Sequence, residues 1–252
     1  MKFQLTEEHL MIQQAARDFA QNDLLPGVIE RDDKQQFPKE QVKKMGELGF
    51  LGMMVSPEYG GSGLDTISYV LAMEEISKID ASCSVIMSVN NSLVCWGLEK
   101  YGTEEQKQKY LKPLASGEVI GAFCLSEPEA GSDATSQKTT AIDKGDHYLL
   151  NGTKNWITNG AEADVCVLIA MEDSSKGVKG INAYIVPTDT PGFVVAKNEK
   201  KLGIKASSTS QISLQDMKLP TSALLGERGK GFNVAMHTLD GGRIGIASQA
   251  LG

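Results

Sequence analysis

The sequence predicts a multidomain chain in which α and β parts are segregated. Residues 1–118 are expected to form an all-helical N-terminal domain. Residues 119–228 are expected to form a middle domain, an antiparallel β-barrel or sandwich. Residues 229–252 are expected to be the first helix of a C-terminal helical bundle, truncated within this chain. Three observations carry that reading. Apolar residues recur at helical spacing behind capping signals as far as residue 118. From about 119 to 220 the chain breaks into short β-prone runs separated by turn residues. Helical spacing returns from 229.

Thr6 stands where it can cap a first helix, with Glu7 and Glu8 in its first turn. Ile12, Ala16, Phe19, Ala20 and Leu24 then share one face, and Pro26-Gly27 ends the pattern. Pro38 suits the start of another helix that carries Val42, Met45 and Leu48 inward. A third run, 66–79, presents Ile67, Val70, Leu71 and Glu74. Residues 81–98 are apolar nearly all round, as in a helix buried between others. Thr103-Glu104-Glu105-Gln106 is a capping box, and Pro113 limits the helix behind it. In the β part, 119–125 reads as a buried strand, and strands are expected at 164–171, 181–186, 193–196 and 211–216. Tyr148-Leu149-Leu150 and the run 154–158 flank Asn151-Gly152, the dipeptide of a two-residue hairpin turn. Phe232, Ala235, Met236, Leu239, Ile244, Ala247 and Leu251 restore the helical period at the end.

Composition excludes several classes. The chain has 252 residues, 41% hydrophobic and 23% charged, which is ordinary for a globular protein with a sizeable core. A formal charge of −7 argues against a nucleic-acid partner, because phosphate backbones need clustered Lys and Arg. The N-terminal stretch from Met1 lacks the charged, apolar and cleavage-site pattern of a leader, and no apolar run reads as long enough to span a bilayer. Cys83, Cys95, Cys124 and Cys166 form no C-x-x-C pair and sit among apolar neighbours. They read as buried thiols of a reducing, cytoplasmic compartment. His9, His147 and His237 are far apart, so no metal site is expected.

The informative stretch is 123–158. Phe123-Cys124-Leu125-Ser126-Glu127-Pro128 places Ser126 where a strand ends and a turn begins. Gly131-Ser132-Asp133 follows, where backbone amides and a hydroxyl can meet a phosphate. Trp156 offers a flat apolar face, and Thr158, two residues along the same strand, a hydroxyl on the same side. A planar heteroaromatic cofactor with a pyrophosphate tail needs these parts.

The segments Cys124-Leu125-Ser126-Glu127-Pro128 with Gly131-Ser132-Asp133, Trp156-Ile157-Thr158, and Leu239-Asp240-Gly241-Gly242-Arg243 resemble, in order and spacing, the motifs of the acyl-CoA dehydrogenase family. The resemblance runs along essentially the whole chain. Glu129 departs from it, since the family often has glycine there. The resemblance implies FAD as cofactor, with Phe123, Cys124, Leu125, Ser126, Gly131, Ser132, Trp156, Ile157 and Thr158 around it. It implies an acyl-CoA substrate beside Ser132, Asp240, Gly241, Gly242 and Arg243. The implied activity is oxidation of a thioester to its trans-2-enoyl form in fatty-acid β-oxidation, with electron-transfer flavoprotein as acceptor and a homo-tetrameric protein. The family places its general base either far into the C-terminal domain or just before the arginine of the third motif. Here that second position is Gly242, so the base is expected beyond residue 252 and the chain alone is expected to be inactive. The Gly-Gly-Arg at 241–243 is most similar to the short-chain, butyryl-type members.

Three features have plainer readings. Gly60-Gly61-Ser62-Gly63 lacks the strand before it and the Lys-Ser/Thr after it that a phosphate loop needs, so it reads as a connector between helices. The lysines from Lys197 to Lys205 read as a solvated loop. Asp240 and Arg243, three apart on a helix, suit a surface ion pair as well as a substrate contact. An acyl-CoA oxidase or another flavoenzyme on the same fold remains an alternative, as does a non-catalytic fragment that binds flavin or acyl-CoA.

Overall fold

The computed structural model describes residues 4–252; residues 1–3, where the leader reading begins, lie outside it. Helix α1 (Glu7–Phe19) starts at a capping box in which the Thr6 hydroxyl accepts from the His9 N–H and the His9 ring accepts from the Thr6 N–H. It continues through a wide turn, Ala20–Leu24, and buries Ala16, Phe19, Ala20 and Leu24. After α2 (Val28–Asp33) and α3 (Lys39–Glu47) comes α4 (Thr66–Ser77), which packs along α1. The two are tied by Glu75 of α4, buried, which accepts two hydrogen bonds at 3.0 Å from the Arg17 guanidinium of α1 and one at 3.1 Å from Gln13. Two expected core positions are instead exposed: Leu48 lies past the end of α3, and Ile67 is in the first turn of α4, whose packed side is Tyr69, Ala72, Met73 and Ile76.

Residues Ala81–Tyr101 form one helical run: α5 (Ala81–Ser88), a wide turn (Val89–Cys95) and α6 (Trp96–Tyr101). By length and mean hydropathy of 1.2 this run would suffice to cross a membrane, contrary to the sequence reading, but 78% of its apolar window is buried within the fold. Its wide turn places two buried asparagines. Asn90 donates to the carbonyls of Leu51 and Leu114 and accepts from the Gly121 N–H. Asn91 donates to Phe50 and Met87 and accepts from Met53. The next helical run, α7 (Glu104–Gln106) to α8 (Lys112–Ser116), does not stop at Pro113. A wide turn at Lys107–Leu111 absorbs the missing donor, and the helix ends at Gly117 with φ +75°.

The strands are β1 (Gly121–Cys124), β2 (Thr140–Asp143), β3 (His147–Thr158), β4 (Val165–Met171), β5 (Ile181–Pro187), β6 (Phe193–Asn198), β7 (Thr209–Pro220) and β8 (Leu224–Leu225). They form one sheet in the order β6-β7-β3-β2-β4-β5-β8, with β1 also on β4. Most pairs are antiparallel, as expected. The β1–β4 pair is parallel, Gly121 opposite Val165, because the β2–β3 hairpin and its loops give the chain room to cross over. The sheet curls over itself. Cys124, Cys166, Leu168, Tyr184 and Val186 meet Tyr148, Leu150, Ile212 and Leu214 in an inner core. Phe123, Leu125, Val167, Ile169 and Ile185 point the other way, against the helices. Burial on both faces explains the unbroken apolar run of β4.

Asn151-Gly152 is not a hairpin turn. Strand β3 runs straight through it, and the β2–β3 turn is at Lys144-Gly145-Asp146, closed by the Lys144 N–H on the His147 carbonyl. A Cβ on Gly152 would stand 2.6 Å from Thr139 Cα, so this glycine serves close approach of two backbones beside a bulge. Helix α9 (Gly231–Leu251) then lies across α4, α5 and β5.

Candidate functional site

The candidate site forms where β1 ends against the helices. Its cavity holds about 170 Å³ and is lined by Val89 and Leu93 of the wide turn, Phe123, Leu125 and Ser126 at the end of β1, Trp156, Ile157 and Thr158 of β3, and Leu239 of α9. Six of the residues singled out from sequence therefore meet in one place. They meet for a reason other than strand alternation. The β3–β7 register slips between Lys154 and Ile157, and Trp156 takes a left-handed conformation with φ +61°. This bulge lifts the indole out of the sheet, leaving it 62% exposed at the cavity, while Ile157 returns to the core at 1%. The backbone is pinned beside it, where the Asn155 N–H donates to the Ser126 carbonyl at 2.8 Å.

Beneath the cavity lies an arrangement that the sequence reading did not single out. Lys154 is fully buried, and its ammonium donates to the Leu125 carbonyl at 3.0 Å, Glu127 Oε1 at 2.7 Å and Gln137 Oε1 at 3.0 Å. Glu127, also buried, accepts in addition from the backbone N–H groups of Lys138 and Thr139. Burial pushes the Glu127 carboxyl up, but Lys154 and these donors outweigh it and hold the group below its ordinary value. Three acceptors meet the three N–H donors of Lys154, which fits the charged form. The available signal was a lysine on the core-facing register that Tyr148 and Leu150 begin, two residues before Trp156.

The other expected residues stand apart from the cavity. Cys124 points into the inner core, on the far face of β1, so its side chain cannot meet a ligand at this site. Gly131 and Ser132 are exposed in the loop after a tight turn, where Glu127 and Ala130 exchange two backbone hydrogen bonds. Asp133 organises that loop by accepting from the hydroxyls of Ser136 and Thr135, which hold its carboxyl below the usual value. Asp240 and Arg243 are exposed and paired with each other at 2.5 Å. Gly241 is open to space, whereas a Cβ on Gly242 would lie 2.7 Å from Leu93 Cδ2, at the cavity wall. The lysine-rich loop is tied down more than expected, since Lys201 donates to the Ser207 carbonyl and the Thr209 hydroxyl. A larger cleft of about 570 Å³ lies between α3, the 116–120 turn and Glu162 and Asp164. It contains none of the site residues expected from sequence, and Asp164 is already engaged by the Ile120 N–H.

Residues 6–118 match the model of the acyl-CoA dehydrogenase N-terminal domain, and residues 122–217 that of the middle domain of the same family. The chain is 51% identical to the short-chain specific acyl-CoA dehydrogenase of Clostridium acetobutylicum over 252 residues, which are 100% of this chain and 66% of that protein. Butyryl-CoA dehydrogenase from Megasphaera elsdenii superimposes with a TM-score of 0.96 at 46% identity, over 99% of this chain and 66% of that one. An acyl-CoA dehydrogenase from Bacillus anthracis complexed with FAD does so with a TM-score of 0.90 at 39% identity, over 97% of this chain and 42% of that one. The chain thus spans just under two thirds of the length of its clostridial relative. With both domain models matched in order and the same overall architecture in the solved relatives, the chain belongs to the acyl-CoA dehydrogenase family.

Proposed function

We propose that this chain carries the flavin-binding part of an FAD-dependent dehydrogenase of short acyl-CoA thioesters. The observation that carries the reading is Trp156. A bulky residue in the left-handed region costs about 1 kcal/mol, and an exposed indole gains little burial in return. Both costs are sensible where a planar ligand covers the ring. The Ser126 and Thr158 hydroxyls flank the indole as partners for ring heteroatoms, and Val89, Leu93, Phe123 and Leu125 provide the apolar wall. This donor set fits an isoalloxazine ring. When bound, FAD supplies an acceptor for a hydride from the substrate's β-carbon. In this reading, Gly131 and Ser132 lie along the pyrophosphate, and Ser132, Asp240, Gly241, Gly242 and Arg243 along the acyl-CoA. The apolar wall excludes water, which strengthens every hydrogen bond made at the thioester.

The α-proton needs an acceptor. None of the nine residues lining the cavity is a carboxylate or an imidazole, and Gly242 offers no side chain. We therefore assign the base to residues beyond Gly252. The likeness to acyl-CoA dehydrogenases is what supports reading electron-transfer flavoprotein as the acceptor and the complete protein as a cytoplasmic homo-tetramer. The test is an FAD titration followed by flavin fluorescence. Thr158→Val should weaken binding by about 1 kcal/mol, roughly fivefold, the scale of one lost hydrogen bond. Bleaching of the bound flavin by butyryl-CoA without oxygen, and slow reoxidation by oxygen, would separate a dehydrogenase from an oxidase. If Thr158→Val and Trp156→Ala both keep full affinity and an unchanged spectrum, the ring does not bind here.

A further inference from the structure

Neither Lys154 nor Glu127 lines the cavity, yet between them they touch both strand segments that build its sheet side and the loop that follows β1. The Lys154 ammonium holds the carbonyl of Leu125, the last residue before Ser126. It belongs to β3, two residues before Trp156. Through Gln137, which itself donates to the Ala134 carbonyl, it reaches the far end of the loop that carries Gly131 and Ser132. Glu127 closes the same loop by accepting from the Lys138 N–H at 2.6 Å and the Thr139 N–H at 3.1 Å.

We propose that the buried Lys154–Glu127 pair is a positioning device for the flavin site. It sets the separation of the two ring-contacting segments, Leu125–Ser126 and Trp156–Thr158, and holds the Gly131–Ser132 loop as a preformed shelf. The proposal rests on the function proposed above. The physical argument is one of choice between effects. A buried ion pair is a poor source of stability, since an apolar pair of the same volume does as well or better. An apolar pair would hold β1 to β3, but it could not satisfy the Leu125 carbonyl or the Lys138 and Thr139 N–H groups. What the charged pair adds is therefore the fixed geometry of three backbone segments.

The test uses Lys154→Met, Glu127→Gln and the neutral double variant Lys154→Met/Glu127→Gln, which leaves no unpaired buried charge. The readouts are the FAD dissociation constant, the shape of the visible flavin band, the melting midpoint of the apoprotein, and amide exchange at Lys138, Thr139 and Asn155. The double variant is expected to keep a cooperative melt, to bind FAD about tenfold more weakly with an altered band, and to exchange those three amides faster. A variant that loses melting temperature while its FAD affinity stays within about twofold of wild type, with an unchanged band, overturns the proposal, because the pair is then merely structural. Should no variant fold, the wild type decides. Equal protection of the three amides with and without FAD supports a preformed shelf, and exchange as fast as that of an open loop refutes it. Failure of the wild type itself to bind FAD would remove the flavin reading and this inference with it, a different outcome from failure of the variants alone.

Discussion

Asn90→Leu tests how the helical part holds the cavity in place. Asn90 is completely buried in the wide turn Val89–Cys95 and spans three segments of chain. Its amide donates to the Leu51 carbonyl at 2.9 Å and the Leu114 carbonyl at 3.1 Å, and its oxygen accepts from the Gly121 N–H at 2.9 Å, where β1 begins. Leucine matches the volume and removes these three bonds together with a longer one from the same amide to Cys95 Sγ at 3.6 Å. The Leu114 carbonyl keeps a second partner, the Gly117 N–H at 3.2 Å. The Leu51 carbonyl and Gly121 N–H lose their bond to this side chain inside the core. Each group so stranded costs about 1–3 kcal/mol, and burial of the leucine offsets up to about 2 kcal/mol of the sum. Two such groups sum to about 2–6 kcal/mol, so with the full offset of about 2 kcal/mol a mid-range net loss of about 2 kcal/mol is expected. Urea unfolding measures it as a fall in midpoint at constant slope. Because Val89 and Leu93 share the turn with Asn90 and Phe123 follows Gly121 by two residues, FAD affinity should fall in the variant as well. A loss below about 1 kcal/mol, with slope unchanged, would mean that water reaches these groups and that Asn90 is no clamp.

Trp156→Gly should separate stability from binding. Relief of the left-handed conformation leaves apoprotein stability unchanged or raised by up to about 1 kcal/mol, whereas FAD affinity falls at least tenfold; a loss of 2 kcal/mol in the apoprotein would make the indole a core residue. Glu75, gripped by Arg17 and Lys78 against the cost of its burial, has a carboxyl pulled down to about 2 from an ordinary 4.5. A lowered carboxyl stabilises the fold above its unfolded value and loses that contribution as pH falls from about 4.5 through about 2. Its ceiling is about 3 kcal/mol, reduced by the half-exposed Arg17, and urea midpoints of wild type and Glu75→Gln should converge at pH 2. Gly242→Ala should move Leu93 into the cavity, weakening ligand binding with little loss of stability. Gly245→Ala, whose Cβ would stand 2.4 Å from the buried Tyr69 hydroxyl, should destabilise the fold, so thermal melts of the pair discriminate the two positions.

The helical periods, the capping boxes at Thr6 and Thr103 and the apolar strands of the middle segment were legible because each is written in local chemistry. The failures share a cause. Asn151-Gly152 has the residues of a turn, but its glycine answers to Thr139, a contact no neighbouring residue announces. Pro113 has the residue that stops a helix, but the wide turn before it takes up the fault. Leu48 and Ile67 fit a helical face whose opposite wall is simply elsewhere. At the site, Phe123, Leu125, Ser126, Trp156, Ile157 and Thr158 line the cavity, whereas Cys124, Gly131, Ser132, Asp240 and Arg243 of the same motifs stand apart from it. The Lys154–Glu127 pair escaped because its meaning depends on a partner 27 residues away.

One extra residue determines how the site works. Along β3, Leu150 and Lys154 face inward, at even positions. In a regular strand Trp156 would follow them into the core and Ile157 would turn out. The bulge takes up one residue, so Ile157 enters the core with Leu150 and the indole is lifted to the cavity. Lys154, Trp156 and Thr158, evenly spaced in sequence, thus meet three environments: a sealed polar clasp, an open apolar face and a half-buried cavity wall. Deleting one residue between Lys154 and Trp156 would drive the ammonium outward or the indole inward, and either change would dismantle the site without altering its composition. The spacing of the Trp-Ile-Thr motif from the buried lysine is therefore as much a part of the candidate site as the residues themselves, and it is meaningful only with the left-handed conformation at Trp156.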